Sequence, residues 1–415
     1  MNQDLERLVG TLSVDVFNYV QRFACLVDRC EDTCCKDWRI SVSERDRGVF
    51  GQTLPIYENL IVKDDGGYQI GKGPDGHCVA LQGGSCKVHA QHGEKALSNI
   101  CANFPRMFRL INGSLVKSAS MGCPEIARLC LYGEEPFRLE ETQQDDFHLS
   151  DVRNQSFDDL QAADRRVVVR AVLDLALAPA TSAEQALMRL FALAGRLEPL
   201  PHAQWAGEIQ QRMAEPEPLA IQSEPLAADP LLEVLAETLQ APTVAQTLRS
   251  RAAALPSGAA DEQRTLSPAY RALYRGEVRS TLDAILKRFI AAEMTRTGFP
   301  FISTTSAGQD YGLNLLEWAA TLAVRTLSLR YLLLAHCDLE TAQAPTPAVI
   351  VEVVYRFCRA TSHNPATVSE KALRQAIGEH GSHYLATLIA QLSEGANAEV
   401  PLKTTGATGG SDLCN

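Results

Sequence analysis

From about residue 155 onward, apolar side chains return every three or four positions. Stretches such as VRAVLDLAL (169–177) and EQALMRLFALAGRL (184–197) are rich in alanine and leucine. That spacing gathers the apolar groups onto one stripe and predicts amphipathic helices. The same pattern predicts helices over 229–241, 243–255, 268–297, 310–336, 346–360 and 367–394, with Thr243 and Ser369 as N-caps. Prolines at 199, 201, 216, 218, 225 and 230 mark a linker-like stretch. Before residue 155 the periodicity is poor. Glycine and turn residues crowd DDGG (64–67), GKGPDGH (71–77) and QGGS (82–85), and two helices are expected, at 43–60 and 90–100. There is no internal repeat. No strand–GxGxxG–helix unit signals a nucleotide-binding sheet.

This division predicts a mainly α protein, with a loop-rich, cysteine-ligated N-terminal lobe and a helical C-terminal lobe. The expected boundaries are a lead-in at 1–19, a cysteine-rich metal or iron–sulfur lobe at 20–150, a helical domain at 151–400 and a disordered tail at 401–415. A chain of 415 residues fits this division, since single cores stop growing near roughly 250–300 residues. No stretch approaches the ~18 apolar residues of a membrane-spanning helix. The opening MNQDLERLVGTLSVDV holds Asp4 and Glu6 and no basic segment. It does not read as a signal peptide, and a cytoplasmic location is expected.

Net charge is −11, which argues against nucleic acid as a partner. The excess is uneven. Residues 20–135 hold fourteen bases and fourteen acids, so the remainder carries all of it. An acidic lobe is compatible with a basic substrate such as a lysine side chain, and equally with plain solubility.

Cysteine usage changes the picture most. Nine of the twelve cysteines lie between Cys25 and Cys130. In a reducing compartment such a crowd reads as metal ligation or catalysis rather than disulfides. Cys25, Cys30, Cys34 and Cys35 follow a C-x4-C-x3-C-C spacing, with Trp38 after them. Cys78 and Cys86 flank a glycine turn, Cys101 precedes an FPR segment, and Cys123 sits in GCPE. Thiolates are soft ligands suited to iron–sulfur clusters and to zinc. Metal binding can then replace a missing apolar core, because its free energy becomes folding free energy. Cys130, Cys337 and Cys358 fall on helical patterns and read as packed thiols, and Cys414 lies in the tail. His77 and His89 read as loop histidines or as ligands. Trp38 reads as a cover for a cluster or as an apolar anchor. Arg106 and Arg109 are open to a structural ion pair or to a carboxylate ligand, and His380 and His383 read as a helix interruption.

These motifs resemble the flagellin lysine-N-methylase family. The resemblance rests on F-x-C-x4-C-E-D-T-C-C-x2-W, on C-x7-C-x-x-H, on C-x-x-F-P-R at 101–106 and on the GCPE segment with its preceding serine at 120–125. GFPF at 298–301 adds a further match. The first cluster is also similar to a wider family of cysteine-rich proteins thought to chelate zinc or iron. The resemblance implies methyl transfer from S-adenosylmethionine to lysine ε-amines of flagellin. It implies eight cysteines, Cys25, Cys30, Cys34, Cys35, Cys78, Cys86, Cys101 and Cys123, around an iron–sulfur cluster, 4Fe–4S, with zinc as the alternative. It supplies no residue for the methyl donor. Tyr311, Glu317 and Tyr331 are candidate bases or phenol partners, each also readable as structural. A non-catalytic metal-binding protein and an iron–sulfur redox or radical enzyme are the rival readings.

Overall fold

The computed structural model describes residues 13–36, 39–43, 46–47, 60–64, 67–93, 96–143, 153–155, 157, 160–214, 239–240, 244–253, 273–301, 305–306, 309–310, 314–338 and 340–362. The fold is mainly α, with small sheets, most of them in the first half. In chain order the first elements are β1 (Ser13–Phe17), α1 (Asn18–Gln21), β2 (Ile61–Asp64), β3 (Gly67–Ile70), β4 (Leu81–Gln82) and β5 (Ser85–Cys86). They are followed by α2 (Lys87–His92), α3 (Asn99–Asn103), β6 (Arg106–Ile111), β7 (Ser114–Ala119), α4 (Pro124–Tyr132), β8 (Leu139–Gln143) and β9 (Arg153–Gln155). The later elements are α5 (Ala162–Leu177), α6 (Ala183–Leu197), α7 (His202–Ala214), α8 (Gln246–Ala253), α9 (Gly276–Thr297), β10 (Thr305–Ser306), β11 (Gln309–Asp310), α10 (Leu315–Leu334) and α11 (Pro347–Ser362).

The first half is more ordered by strands than its sequence pattern predicts. A five-stranded sheet runs β8-β1-β7-β6-β9. β1 pairs parallel with β7, Val14 opposite Leu115, and antiparallel with β8. The segment expected as a lead-in therefore holds a strand flanked on both sides. β6 and β7 form a hairpin closed by Asn112 and Gly113, whose φ values of 46° and 77° are those of a tight primed turn. The helix expected over 90–100 is two shorter ones. α2 ends at Gly93, which has a φ of 77°, and the Ser98 side chain caps α3. The segment 367–394 and most of 229–241 and 43–60 lie outside the described residues. So do Thr243, Ser369, Trp38, Tyr311, His380, His383 and Cys414.

The expected helices at 169–177 and 184–197 appear as α5 and α6, and α6 starts with a Ser182–Gln185 capping box. α10 is buried on nearly every side, as a Leu-rich helix without a polar face must be. It packs against α6, α9 and α11. α10 begins at Leu315, later than the expected 310, because Asn314 and Glu317 form a capping box there. In the segment after α9, Phe299 stacks on Trp318 at 4.2 Å and Phe301 stacks on Trp205 at 5.4 Å. The GFPF match is thus part of the core. One large apolar cluster runs from Val16 to Ala360, and a smaller one joins Ile40, Val42, Ile70, Cys78, Ala80 and Val88. Among the described residues no helix is long and apolar enough to cross a membrane.

Candidate cysteine-lined site

Cys25, Cys30, Cys34, Cys35, Cys86, Cys101 and Cys123 line one cavity of about 200 Å³. Local turns set each thiol in place. Asp32 Oδ1 accepts from Thr33 N at 2.8 Å, and Thr33 Oγ1 accepts from Cys35 N at 3.1 Å. These short side-chain bonds fold the CEDTCC segment into a tight loop. β4 and β5 pair Leu81 with Cys86 across Gly83 and Gly84, both at positive φ. Cys101 lies in α3, where its N–H donates to Ser98 Oγ at 3.4 Å. Cys123 is the residue before Pro124, the first residue of α4. Cys78 is the one of the eight not on the cavity lining. It is buried behind it, and its N–H donates to the Cys35 carbonyl at 2.6 Å.

The thiols fall into two electrostatic sets. Every pair among Cys35, Cys78, Cys86 and Cys101 interacts by charge. Burial first, then these neighbours, push Cys78 up to about 11 and Cys101 up to about 12. Cys86 rises for the same reasons, and Cys35 rises mainly through its hydrogen bond with Cys34, then burial. The second set is Cys25, Cys30 and Cys123. Burial leads again, raising Cys30 and pushing Cys123 up to about 12, with Cys25 acting on Cys30 and Cys30 on Cys123. Such crowded thiols resist ionisation in the free protein. A cation among them reverses that preference, since it stabilises thiolate outright. The donor chemistry therefore fits a soft metal centre. Among the described residues, however, no group of three or more His, Cys, Asp or Glu side chains is disposed to hold a single metal ion.

The cavity wall also holds charge. The Asp32 side chain is buried and pairs with Lys36 Nζ at 2.6 Å, Arg359 Nη1 at 3.0 Å and Arg356 Nη1 at 3.7 Å. Burial pushes its carboxyl up, but Arg359 and Lys36 outweigh that and hold it below the usual carboxylate range. Glu125, the other carboxylate on the lining, pairs with Arg128. Arg359 lies in α11, so the helical half of the chain supplies part of the wall.

The remaining candidates separate cleanly. His89 and Arg106 line the cavity, and the Arg106 guanidinium sits 5.1 Å from the Phe23 ring centre. His77 faces away and pairs with Asp75 at 2.8 Å. Arg109 is buried elsewhere, donating to the Arg296 carbonyl and to Ser118 Oγ. It lines a separate cavity of about 30 Å³, roughly the room of one water. Cys130, Cys337 and Cys358 are fully packed in the main core, as expected. Glu317 is occupied as the helix cap of α10, and neither it nor Tyr331 lines the cysteine cavity. Arg359 is the residue that sequence reasoning missed. An arginine in VVYRFCRA carries no motif, and only the fold brings it to the cysteines.

Three relatives match part of the chain in sequence. A lysine-N-methylase of Salmonella typhimurium is 28% identical over 135 residues, 30% of this chain and 33% of the relative. A lysine-N-methylase of Salmonella choleraesuis is 28% identical over 137 residues, with the same shares. The chain is a distant relative of lysine-N-methylases. The flagellar biosynthetic protein FliU of Salmonella muenchen is also 28% identical, over 135 residues that make up 79% of FliU and 30% of this chain. The matched part of the chain spans about a third of the length of the two methylases. No family model and no solved structure matches.

Proposed function

We propose that this protein is a cytoplasmic methyltransferase that moves a methyl group from S-adenosylmethionine to lysine ε-amines of flagellin. A cysteine-bound iron–sulfur cluster of the 4Fe–4S type belongs to this reading. The names of the distant relatives support the reaction class and the flagellar partner. The convergence of seven cysteines from four separate stretches of chain on one cavity carries the metal part. Cys35, Cys78, Cys86 and Cys101 lie near enough to influence one another and would have to draw closer to hold a cluster, Cys78 from outside the cavity lining. A bound cluster supplies a covalent tie between these segments and a centre capable of one-electron chemistry.

The chain's own residues supply the rest. In the polar form of the reaction the lysine nitrogen lone pair attacks the donor's methyl carbon. The S–CH3 bond breaks with its electrons on sulfur, and S-adenosylhomocysteine leaves. The attack requires a neutral amine, so the lysine ammonium must first give its proton to water or to a base. Apolar walls from Phe23, Leu26, Leu97 and Phe104, with the Arg106 guanidinium, disfavour an ammonium in the cavity, and the two carboxylates of the lining, Asp32 and Glu125, are each engaged by an arginine. Desolvation and like charge both lower an amine's pKa. The nucleophilic form is therefore favoured, and enclosure holds the reactants together.

The test uses protein purified without oxygen. Iron, sulfide and zinc are measured together with the visible spectrum, and methyl transfer to purified flagellin is followed with and without reductant. Iron with equimolar sulfide and reductant-independent transfer support the proposal. Zinc alone, with no transfer, supports a non-catalytic metal-binding protein. Transfer that requires reductant moves the chemistry to the radical class.

A further inference from the structure

Arg359 reaches the cysteine cavity from α11 with its guanidinium almost fully committed. Nε donates to the Gly122 carbonyl at 2.7 Å. Nη1 donates to Asp32 Oδ2 at 3.0 Å and to the Thr33 carbonyl at 3.1 Å. These bonds reach both the CEDTCC loop and the GCPE turn, so they fix the plane of the group. Nη2 is left over. It is buried and has no hydrogen-bond partner among the described residues. The residue is 6% exposed and lines the cavity. A buried donor without a partner is costly, and more so when it is charged. Asp32, which takes one of the Arg359 bonds, is itself shared with Lys36 at 2.6 Å and with Arg356 at 3.7 Å.

A rigid, buried N–H donor on a charged group suits an anionic acceptor, which it meets through a single nitrogen. We infer that Nη2 of Arg359 binds the α-carboxylate of the amino-acid end of the methyl donor. This rests on the methyl-transfer reading, in which the carboxylate is the donor's anionic group. Asp32, Thr33 and Gly122 act as positioning partners. The site explains why a helix from the far end of the chain is held against the cysteine loop: it brings the anchor for the donor to the metal centre. Of the two arginines that the sequence left open to a carboxylate, Arg109 is bonded to protein groups in another cavity, and Arg106 lines this one beside the Phe23 ring.

The experiment compares two nucleosides on the full chain purified without oxygen. S-adenosylhomocysteine carries the amino-acid end, and 5′-methylthioadenosine lacks it. Their affinities for wild type, Arg359→Lys and Arg359→Gln are measured by calorimetry, with iron content and midpoint potential determined for each. Losing one charge-assisted hydrogen bond lowers affinity about tenfold to a hundredfold. That loss is expected for S-adenosylhomocysteine in both variants, with methylthioadenosine binding all three proteins alike. Arg359→Lys keeps a positive charge beside Asp32 and serves as the reference if the glutamine variant loses iron. Equal losses for both nucleosides overturn the inference, because they report general damage to the cavity. Unchanged S-adenosylhomocysteine affinity overturns it too, and a shifted potential in that case gives the nitrogen to the cluster. If wild type binds neither nucleoside, the methyl-donor reading itself falls and takes the inference with it.

Discussion

The hydroxyls of Tyr19 and Thr295 lie 2.9 Å apart, although 276 residues of chain separate them. Tyr19 follows β1 and Thr295 lies near the end of α9, so this bond fastens the sheet to the central helix. The Tyr19 oxygen also accepts from Ala119 N at 3.1 Å. Burial raises its pKa, and the phenol stays protonated. Tyr19→Phe deletes both bonds and leaves the Ala119 N–H without a partner, at a cost of about 1–3 kcal/mol. Urea unfolding checks this, and a change below about 0.5 kcal/mol would remove the bond from the list of stabilising contacts.

The cysteine sets lead to a second expectation. Cys35→Ser and Cys101→Ser should each lose most of the bound iron, since both belong to the mutually interacting four. Cys358→Ala and Cys337→Ala should keep it and cost about 1 kcal/mol of packing. Iron and sulfide analysis decides. Loss of iron in Cys358→Ala would mean that the helical core supplies ligands.

Lys117 gives a pH dependence with a definite sign. Burial, with the Arg106 charge in support, lowers its pKa from 10.5 to about 8. The folded state then binds fewer protons than the unfolded one between those values. Stability from this group is present above 10.5 and is lost as pH falls through about 8. Lys117→Met should abolish that contribution, so the stability difference between variant and wild type should shrink as pH rises from 7 to 10. Chemical unfolding at several pH values measures it, and a pH-independent difference refutes it.

Gly298 ends α9 with a φ of 83°. A Cβ there would meet Arg109 Cδ, Arg109 Nε and the Phe301 carbonyl at 3.3 Å. Gly298→Ala combines an unfavourable backbone conformation with crowding, and should cost about 1–2 kcal/mol. A neutral or stabilised variant in thermal unfolding would show that the turn has another conformation available.

The helices and the cysteine crowd were legible because their signals are local. Apolar spacing located α5, α6, α10 and α11, and thiol spacing pointed to the residues that meet at the cavity. Part of what was missed was local too. Asn112–Gly113 between MFRLI and SLVKSA is a hairpin signature, and Cys123–Pro124 before an apolar run marks a helix start. β1 hid for a different reason. SVDVF carries Asp15 at its centre, and that carboxylate is buried only because Arg165 and Arg166 from α5 meet it. Nor did spacing divide the eight cysteines into sets or bring Arg359 to them. Those relations depend on contacts across hundreds of residues, which periodicity does not encode.

The contact between Asp32 and Arg359 has a consequence for how the protein is made. The two residues are 327 positions apart. At roughly 5–20 residues per second, the ribosome needs roughly 15–65 s to reach the arginine after it has made the aspartate. For that interval the cysteine loop emerges and waits without its far wall. The seven thiols of the cavity are thus all made well before the guanidinium that shares its wall, so the loop spends that interval with its cysteines open on the side that Arg359 later covers.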